Sequence, residues 1–413
     1  MNLTFVSEGM LGDGGMPNDL RSLVTEVAAC AGGEVRVIAD QRRWKQGALS
    51  GVEIIHAAGL RDAYRIQLGR DETSQRYVLV GFSSLFNVIV AFRLRLRGLK
   101  YSIMPAWQIH PFLDRDNPFE KRSVPSIENL LRNVQSKRII FSRVRNGSGG
   151  GMPLFRSLLR RTYRKTLGRW LLNNADVIHV FSTMERQLIQ DLVRPRHTTY
   201  QLMHLGTDAS SRPVGNDTFP SGPYKNIVFW GRADYYYKGL DIVLDALAEA
   251  ISRGTAAPLK LWIIGPDYNG GHANIRRHLC ERGIEEYVQI LPPGTYSPGT
   301  LGLLQRADFC IACSRWHGFC RTLRESLCLG VPVITNRETH FDDILRTFKN
   351  GFIFENQHEL IDILVSIGSP EADMVSRTAK ANQAECVRFF RWSKAGVRFV
   401  ESLTTPLVGN SRA

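Results

Sequence analysis

Residues 226–239 read Asn-Ile-Val-Phe-Trp-Gly-Arg-Ala-Asp-Tyr-Tyr-Tyr-Lys-Gly. The apolar run Ile227-Val228-Phe229-Trp230 has the length of a buried strand, and Gly231 ends it. Beyond Lys238-Gly239, apolar residues recur at Leu240, Val243, Leu244 and Leu247, which is a helix period. A loop between a parallel strand and the helix it feeds offers backbone N–H groups to an anion. Arg232 and Lys238 stand at the two ends of this loop. One brings a planar fork and the other a compact charge, a combination that suits a diphosphate. A solvated pair of loop charges would give the same letters, so the loop has to be weighed with its neighbours.

From Asn226 to Thr335 the alternation continues as strand, loop, helix, strand, helix, strand, helix, strand, second loop and helix. The second loop follows the strand Phe309 to Ala312 and reads Trp316-His317-Gly318-Phe319-Cys320-Arg321-Thr322-Leu323-Arg324-Glu325. Val331-Pro332-Val333-Ile334-Thr335 comes after it. Glu325 falls at the start of the helix, where a carboxylate can accept two vicinal hydroxyls such as those of a ribose. Two ligand loops at corresponding ends of neighbouring strands outweigh the reading as solvated charge.

These stretches resemble the retaining, nucleotide-sugar-dependent glycosyltransferases of the GT-B fold, family 4, the glycosyl transferases group 1. The resemblance is carried by Phe229-Trp230-Gly231-Arg232, Lys238-Gly239-Leu240-Asp241, Ile263-Ile264-Gly265-Pro266-Asp267-Tyr268 and Ala307-Asp308-Phe309. It continues through Ser314-Arg315-Trp316, Gly318-Phe319, Arg324-Glu325-Ser326-Leu327, Gly330-Val331-Pro332-Val333-Ile334 and Asn350-Gly351-Phe352. It implies an α/β chain of two doubly wound Rossmann-like domains facing a cleft. It also implies transfer of a sugar from a nucleotide diphosphate sugar to a hydroxyl, with retention. Catalysis would fall to Arg232, Lys238 and the sugar-facing His317. The donor would be held by Gly14, Gly15, Gly231, Gly318, Phe319, Cys320, Arg321, Thr322 and Glu325, and the acceptor would lie by Trp107 and His110. Two residues depart from the family pattern: His317 stands where a first glutamate is usual, and Cys320 where a glycine is usual. They motivate the competing expectation of a catalytically silent binding or scaffold protein on the same fold.

The amino half opens with the strand Leu3 to Val6 and the glycine-rich turn Glu8 to Pro17. Asn18 or Asp19 would cap the next helix, which carries Leu20, Leu23, Val24 and Val27. Its turn lacks a clean G-x-G-x-x-G, which disfavours a nicotinamide enzyme. Further strands are expected at 77–81, 101–104, 175–182 and 199–205, with an apolar helix at 85–96. Asp114-Arg115-Asp116 lies between Pro111 and Pro118 and reads as a loop rather than a metal pair. Residues 117–151 are expected to form an exposed insertion, followed by a basic amphipathic helix with Leu154, Leu158, Leu159, Leu167, Trp170 and Leu171. The run 210–223 reads as a linker. The expected domains are 1–208 for the acceptor and 209–391 for the donor, with a last helix at 392–403 completing the first.

A chain of 413 residues suits two domains. The seven cysteines lie mostly in apolar runs, as reduced thiols of a cytoplasmic chain do. Cys310 and Cys313 lack a second pair at zinc spacing, and no metal or cofactor is expected. Residues 93–169 hold eighteen Lys and Arg against four Asp and Glu, a surplus equal to the whole net charge of +14. The absence of basic residues interleaved with aromatics on strands disfavours nucleic acid. The expected partners are a nucleotide-sugar donor, a glycan or lipid-linked acceptor and an anionic membrane surface, met peripherally from the inner face. Surface or exopolysaccharide biosynthesis is the expected setting. No apolar stretch is long enough to span a bilayer.

Overall fold

The computed structural model describes residues 1–7, 15–39, 49–57, 60–68, 75–81, 85–105, 164–192, 198–209, 215, 217–291, 298–315 and 319–404. These form two compact units. One runs to Thr207 and takes up the chain again from Phe389, and the other extends from Asp208 to Arg388.

The first unit is built on seven parallel strands: β1 Asn2–Ser7, β2 Val35–Ala39, β3 Val52–His56, β4 Gln75–Val80, β5 Tyr101–Met104, β6 Val177–Val180 and β7 Thr199–Leu202. Their order is β3-β2-β1-β4-β5-β6-β7. The second has six: β8 Lys225–Trp230, β9 Leu259–Ile264, β10 Val288–Leu291, β11 Phe309–Ala312, β12 Val333–Asn336 and β13 Gly351–Phe354, in the order β10-β9-β8-β11-β12-β13. Both sheets are wholly parallel, with helices in the connections. Both are thus doubly wound α/β units, the fold class that the resemblance implied. Central strands such as β11 are buried at every position, which is why they read as unbroken apolar runs. Each strand order reverses once, between β1 and β4 and between β8 and β11. A crevice opens outside the carboxyl ends of the strands at such a switch point.

The helix Trp392–Thr404 packs on the helix Gly15–Cys30 within the first unit. A Cβ at Gly396 would lie 2.8 Å from the Glu26 Cβ, so glycine is what allows the approach. Phe399 is fully buried, stacking on Phe5 at 5.5 Å and lying 4.7 Å from the His179 ring. Truncating so large a buried ring costs about 3–5 kcal/mol.

Two local expectations change. The helix begins at Gly15, not after Asn18 or Asp19, and Asn18 Oδ1 accepts from the Arg21 guanidinium instead of capping. The edge strand β3 and the helix Leu60–Arg65 have no counterpart in the sequence reading. The 114–116 triplet, the 117–151 insertion and Leu154, Leu158 and Leu159 lie outside the described residues. Among those described, no helix is long and apolar enough to cross a membrane.

Candidate functional site

The switch point of the second unit lies between β8 and β11, and the two loops singled out in the sequence leave the ends of these two strands. The first begins at Gly231, whose N–H donates to Ile264 O at 2.9 Å, and Ala233 N–H donates to Pro266 O at 2.8 Å. These bonds tie it to the start of the β9 loop. It ends at Gly239, which has φ +65°. A Cβ there would sit 1.9 Å from Cys313 O, so only glycine lets the two loops approach.

Several bonds then lock the loops together. The N–H of Arg315 donates to Tyr237 O at 3.1 Å, and the hydroxyl of Thr322 donates to Trp230 O at 2.8 Å. The Arg315 guanidinium pairs with both Asp241 carboxylate oxygens at 2.7 Å and donates to Tyr236 O at 2.5 Å. It also lies 4.0 Å from the Tyr236 ring centroid. Burial works against this charge, but Asp241 more than offsets it, and the guanidinium is held firmly protonated.

Arg232 is half-exposed on the first loop. Its guanidinium lies 4.2 Å from the Tyr268 ring centroid and 5.5 Å from that of Tyr237, with Asp234 Oδ2 at 3.4 Å. The two rings and the carboxylate aim the fork before any anion arrives. Asp234 also accepts from the Tyr237 N–H at 3.3 Å, which ties the guanidinium to the turn of the loop. Lys238 stands at the other end. Burial brings its ammonium down to about 8, with the Cys320 thiol favouring the charge and Arg232 opposing it. A diphosphate placed between Arg232 and Lys238 would relieve that strain. Two cations at the ends of one loop form an arrangement that can accept an anion.

The second loop leads into the helix Arg321–Cys328, with Cys320 as an extended N-cap whose side chain makes no capping bond. The amino end of this helix carries the N–H groups and the partial positive charge that favour a phosphate. Phe319 is buried and stacks on Phe341 at 4.7 Å, so its ring belongs to the core while its backbone stays with the loop. The Thr322 hydroxyl is engaged with Trp230 O and holds the helix against β8. Glu325 is fully buried, and the Arg321 Nε donates to its Oε1 at 3.1 Å. A ribose reaches this carboxylate only if the groups around it move.

The structure therefore brings Gly231, Arg232, Lys238, Phe319, Cys320, Arg321, Thr322 and Glu325 to one end of the second sheet. Gly15 heads the helix after β1, at the switch point of the first unit. Gly14, Trp107, His110, His317 and Gly318 lie outside the described residues. The sequence reading missed the roles of Asp241, Tyr268 and Arg315. The letters were there, within the stretches that carry the resemblance, but a pair 74 positions apart has no local signature. Among the described residues there is no group of three His, Cys, Asp or Glu that could hold a metal.

Residues 224–368 match the family model of the glycosyl transferases group 1. The chain is 24% identical over 274 residues to the phosphatidyl-myo-inositol mannosyltransferase of Mycobacterium leprae, covering 63% of this chain and 65% of that one. It is 29% identical over 118 residues to the GDP-mannose:cellobiosyl-diphosphopolyprenol alpha-mannosyltransferase of Xanthomonas campestris, covering 28% of this chain and 29% of that one. The matches thus span less than two thirds of the length of either relative. Its fold is similar to that of Anabaena HepE solved in complex with UDP, with a TM-score of 0.64 over 98% of this chain and 100% of that one, at 13% identity. The second unit thus carries the match to the glycosyl transferases group 1, over residues 224–368, and the fold of the chain is that of the GT-B glycosyltransferases.

Proposed function

We propose that this chain is a retaining, metal-independent hexosyltransferase that moves a sugar from a nucleotide diphosphate sugar to a hydroxyl of a glycan or lipid-linked acceptor. The observation that carries the reading is the pair of cations, Arg232 and Lys238, held at the two ends of one loop beside the helix amino end at Cys320. The hard part of such a transfer is the departing diphosphate. Fixed cations and backbone N–H groups stabilise its growing charge without reorganisation. Two protein cations offset the phosphate charge that a divalent ion would otherwise meet, so chelator should leave turnover intact. The proposed reaction invokes neither a covalent nucleophile nor a paired-carboxylate double displacement.

The names of the two mannosyltransferase relatives support a lipid-held acceptor, and the UDP complex of a similar fold supports a nucleoside diphosphate leaving group. The product belongs to surface or exopolysaccharide assembly, made at the inner face of the membrane. A second reading, a silent scaffold, is favoured by the burial of Glu325 against Arg321 and by the two departures His317 and Cys320. One experiment separates them: hydrolysis of a panel of nucleotide sugars without acceptor, with and without chelator. Slow hydrolysis of one donor supports the enzyme. No turnover and no nucleoside diphosphate affinity across the panel would leave the scaffold.

A further inference from the structure

Between Arg232 and Lys238 the first loop sends Tyr235 into the core of the second unit, where it is 7% exposed. A buried tyrosine needs a partner for its hydroxyl, and this one has it. Tyr235 Oη lies 2.5 Å from His278 Nδ1, and the other ring nitrogen, Nε2, lies 3.0 Å from Asp245 Oδ1. His278 belongs to the helix Gly271–Arg282 and is buried as deeply as the tyrosine. Asp245 is half-buried on the helix Leu240–Arg253. The Arg282 guanidinium donates to the same Asp245 oxygen. Burial works against the Asp245 carboxylate, but the bond from His278 and the charge of Arg282 more than offset it and hold the group below its ordinary range. A carboxylate only accepts, so the bond to Asp245 places an imidazole hydrogen on Nε2. In the neutral ring Nδ1 is then bare and accepts the Tyr235 O–H. Donation thus runs one way, from the loop to the helix.

Tyr235 holds the middle of the loop. Asp234 O accepts from the Lys238 N–H at 2.9 Å, and Tyr235 O accepts from the Leu240 N–H at 3.0 Å. The Asp234 carboxylate lies against the Arg232 guanidinium. A shift of Tyr235 therefore displaces both cations. The helix of His278 also abuts the loop at its amino end, where a Cβ at Gly271 would sit 1.7 Å from Ala233 O, so glycine permits the approach. Asp241, one turn before Asp245, holds the second loop through Arg315. One helix thus anchors both loops through two carboxylates. We propose that Tyr235, His278 and Asp245 form a positioning relay that fixes Arg232 and Lys238 at the spacing of a diphosphate. They act through the loop backbone, not by contact with the ligand. This role rests on the diphosphate reading of the loop in the preceding section.

The test is calorimetric titration of the full chain with UDP and GDP, with inorganic pyrophosphate, and with uridine and guanosine. Tyr235→Phe deletes one hydroxyl and leaves the ring in the core. It should weaken nucleoside diphosphate and pyrophosphate binding about tenfold while nucleoside binding stays within about twofold. His278→Gln keeps a donor for Asp245 and offers nothing in the place of Nδ1, so it should match Tyr235→Phe. The double variant should be no weaker than His278→Gln alone, since both changes break one path. A general loss of stability lowers all affinities together and does not split diphosphate from nucleoside. Full diphosphate affinity in Tyr235→Phe overturns the relay and leaves the diphosphate reading in place. So does an equal fall in nucleoside affinity, and so do losses that add in the double variant. If wild type binds neither nucleoside diphosphate nor pyrophosphate, the diphosphate reading itself fails and the relay falls with it.

Discussion

The Arg315–Asp241 pair holds the two ligand loops together, and breaking it should be costly in an asymmetric way. The Arg315 side chain is 6% exposed and that of Asp241 21%. In Asp241→Asn the guanidinium loses its counter-charge where water reaches it least. In Arg315→Met a carboxylate is left that water already touches. Removing one partner of a buried pair costs about 3–5 kcal/mol, because the other charge stays buried without compensation. The asparagine variant should therefore reach the upper part of that range and the methionine variant fall below it. The double variant should recover part of the loss, since two neutral groups leave no charge behind. Chemical unfolding of wild type, both single variants and the double variant, followed by a signal from the second unit, gives the four corners of the cycle. Nucleoside diphosphate affinity should fall in the same order, because the Arg315 N–H also fixes Tyr237 of the phosphate loop. If Asp241→Asn proves no more costly than Arg315→Met, or the double variant is as unstable as the sum of the singles, the pair does not couple the loops as argued.

Other expectations follow from single groups. Arg232→Ala and Lys238→Ala should each lose about 2–4 kcal/mol of transition-state stabilisation in kcat/KM for donor hydrolysis, and Arg232→Lys should not restore it, since an ammonium fits the two-ring clamp poorly. Lys238 is lowered to about 8 from 10.5, so nucleoside diphosphate binding should take up a proton above pH 8 and weaken as pH rises, visible by calorimetry in buffers of different ionisation enthalpy. The unfolded chain holds more protons than the folded one between these two values, so this lysine makes stability rise with pH in that window. His179 is 1% exposed, has no hydrogen-bond partner for either ring nitrogen among the described residues, and is lowered by burial to about 3. The unfolded chain binds the extra proton below the ordinary 6.5, so between neutral pH and pH 5 wild type should lose about 2 kcal/mol, and His179→Leu should abolish that loss in urea titrations run at neutral pH and at about pH 5. Glu325→Gln removes the buried counter-charge of Arg321, so it should lower the melting temperature and also weaken nucleoside diphosphate binding, whereas normal affinity with a lowered melt would make the carboxylate purely structural.

The sequence by itself determined the alternation of strands and helices in 226–335, the loop in which Arg232 and Lys238 lie and the loop that leads into the helix of Glu325. Parallel central strands are buried on both faces, so β8, β9 and β11 read as apolar runs, and glycine marks where each loop must turn or approach another. The helix Leu85–Leu96 and the strand Tyr101–Met104 were legible for the same reason. The edge strand β3 was not, because Val-Glu-Ile-Ile-His is only partly covered and its pattern is mixed. Only the tertiary structure decided which groups 74 residues apart neutralise one another, as Arg315 and Asp241 do. It also showed Glu325 sealed against Arg321 and Arg93 spent on tying two helices together. Periodicity marks residues as apolar, but coverage depends on what packs on them from elsewhere in the chain. The same helix accordingly buries Phe86 and Leu94 on one side and leaves Phe92 and Leu96 open on the other.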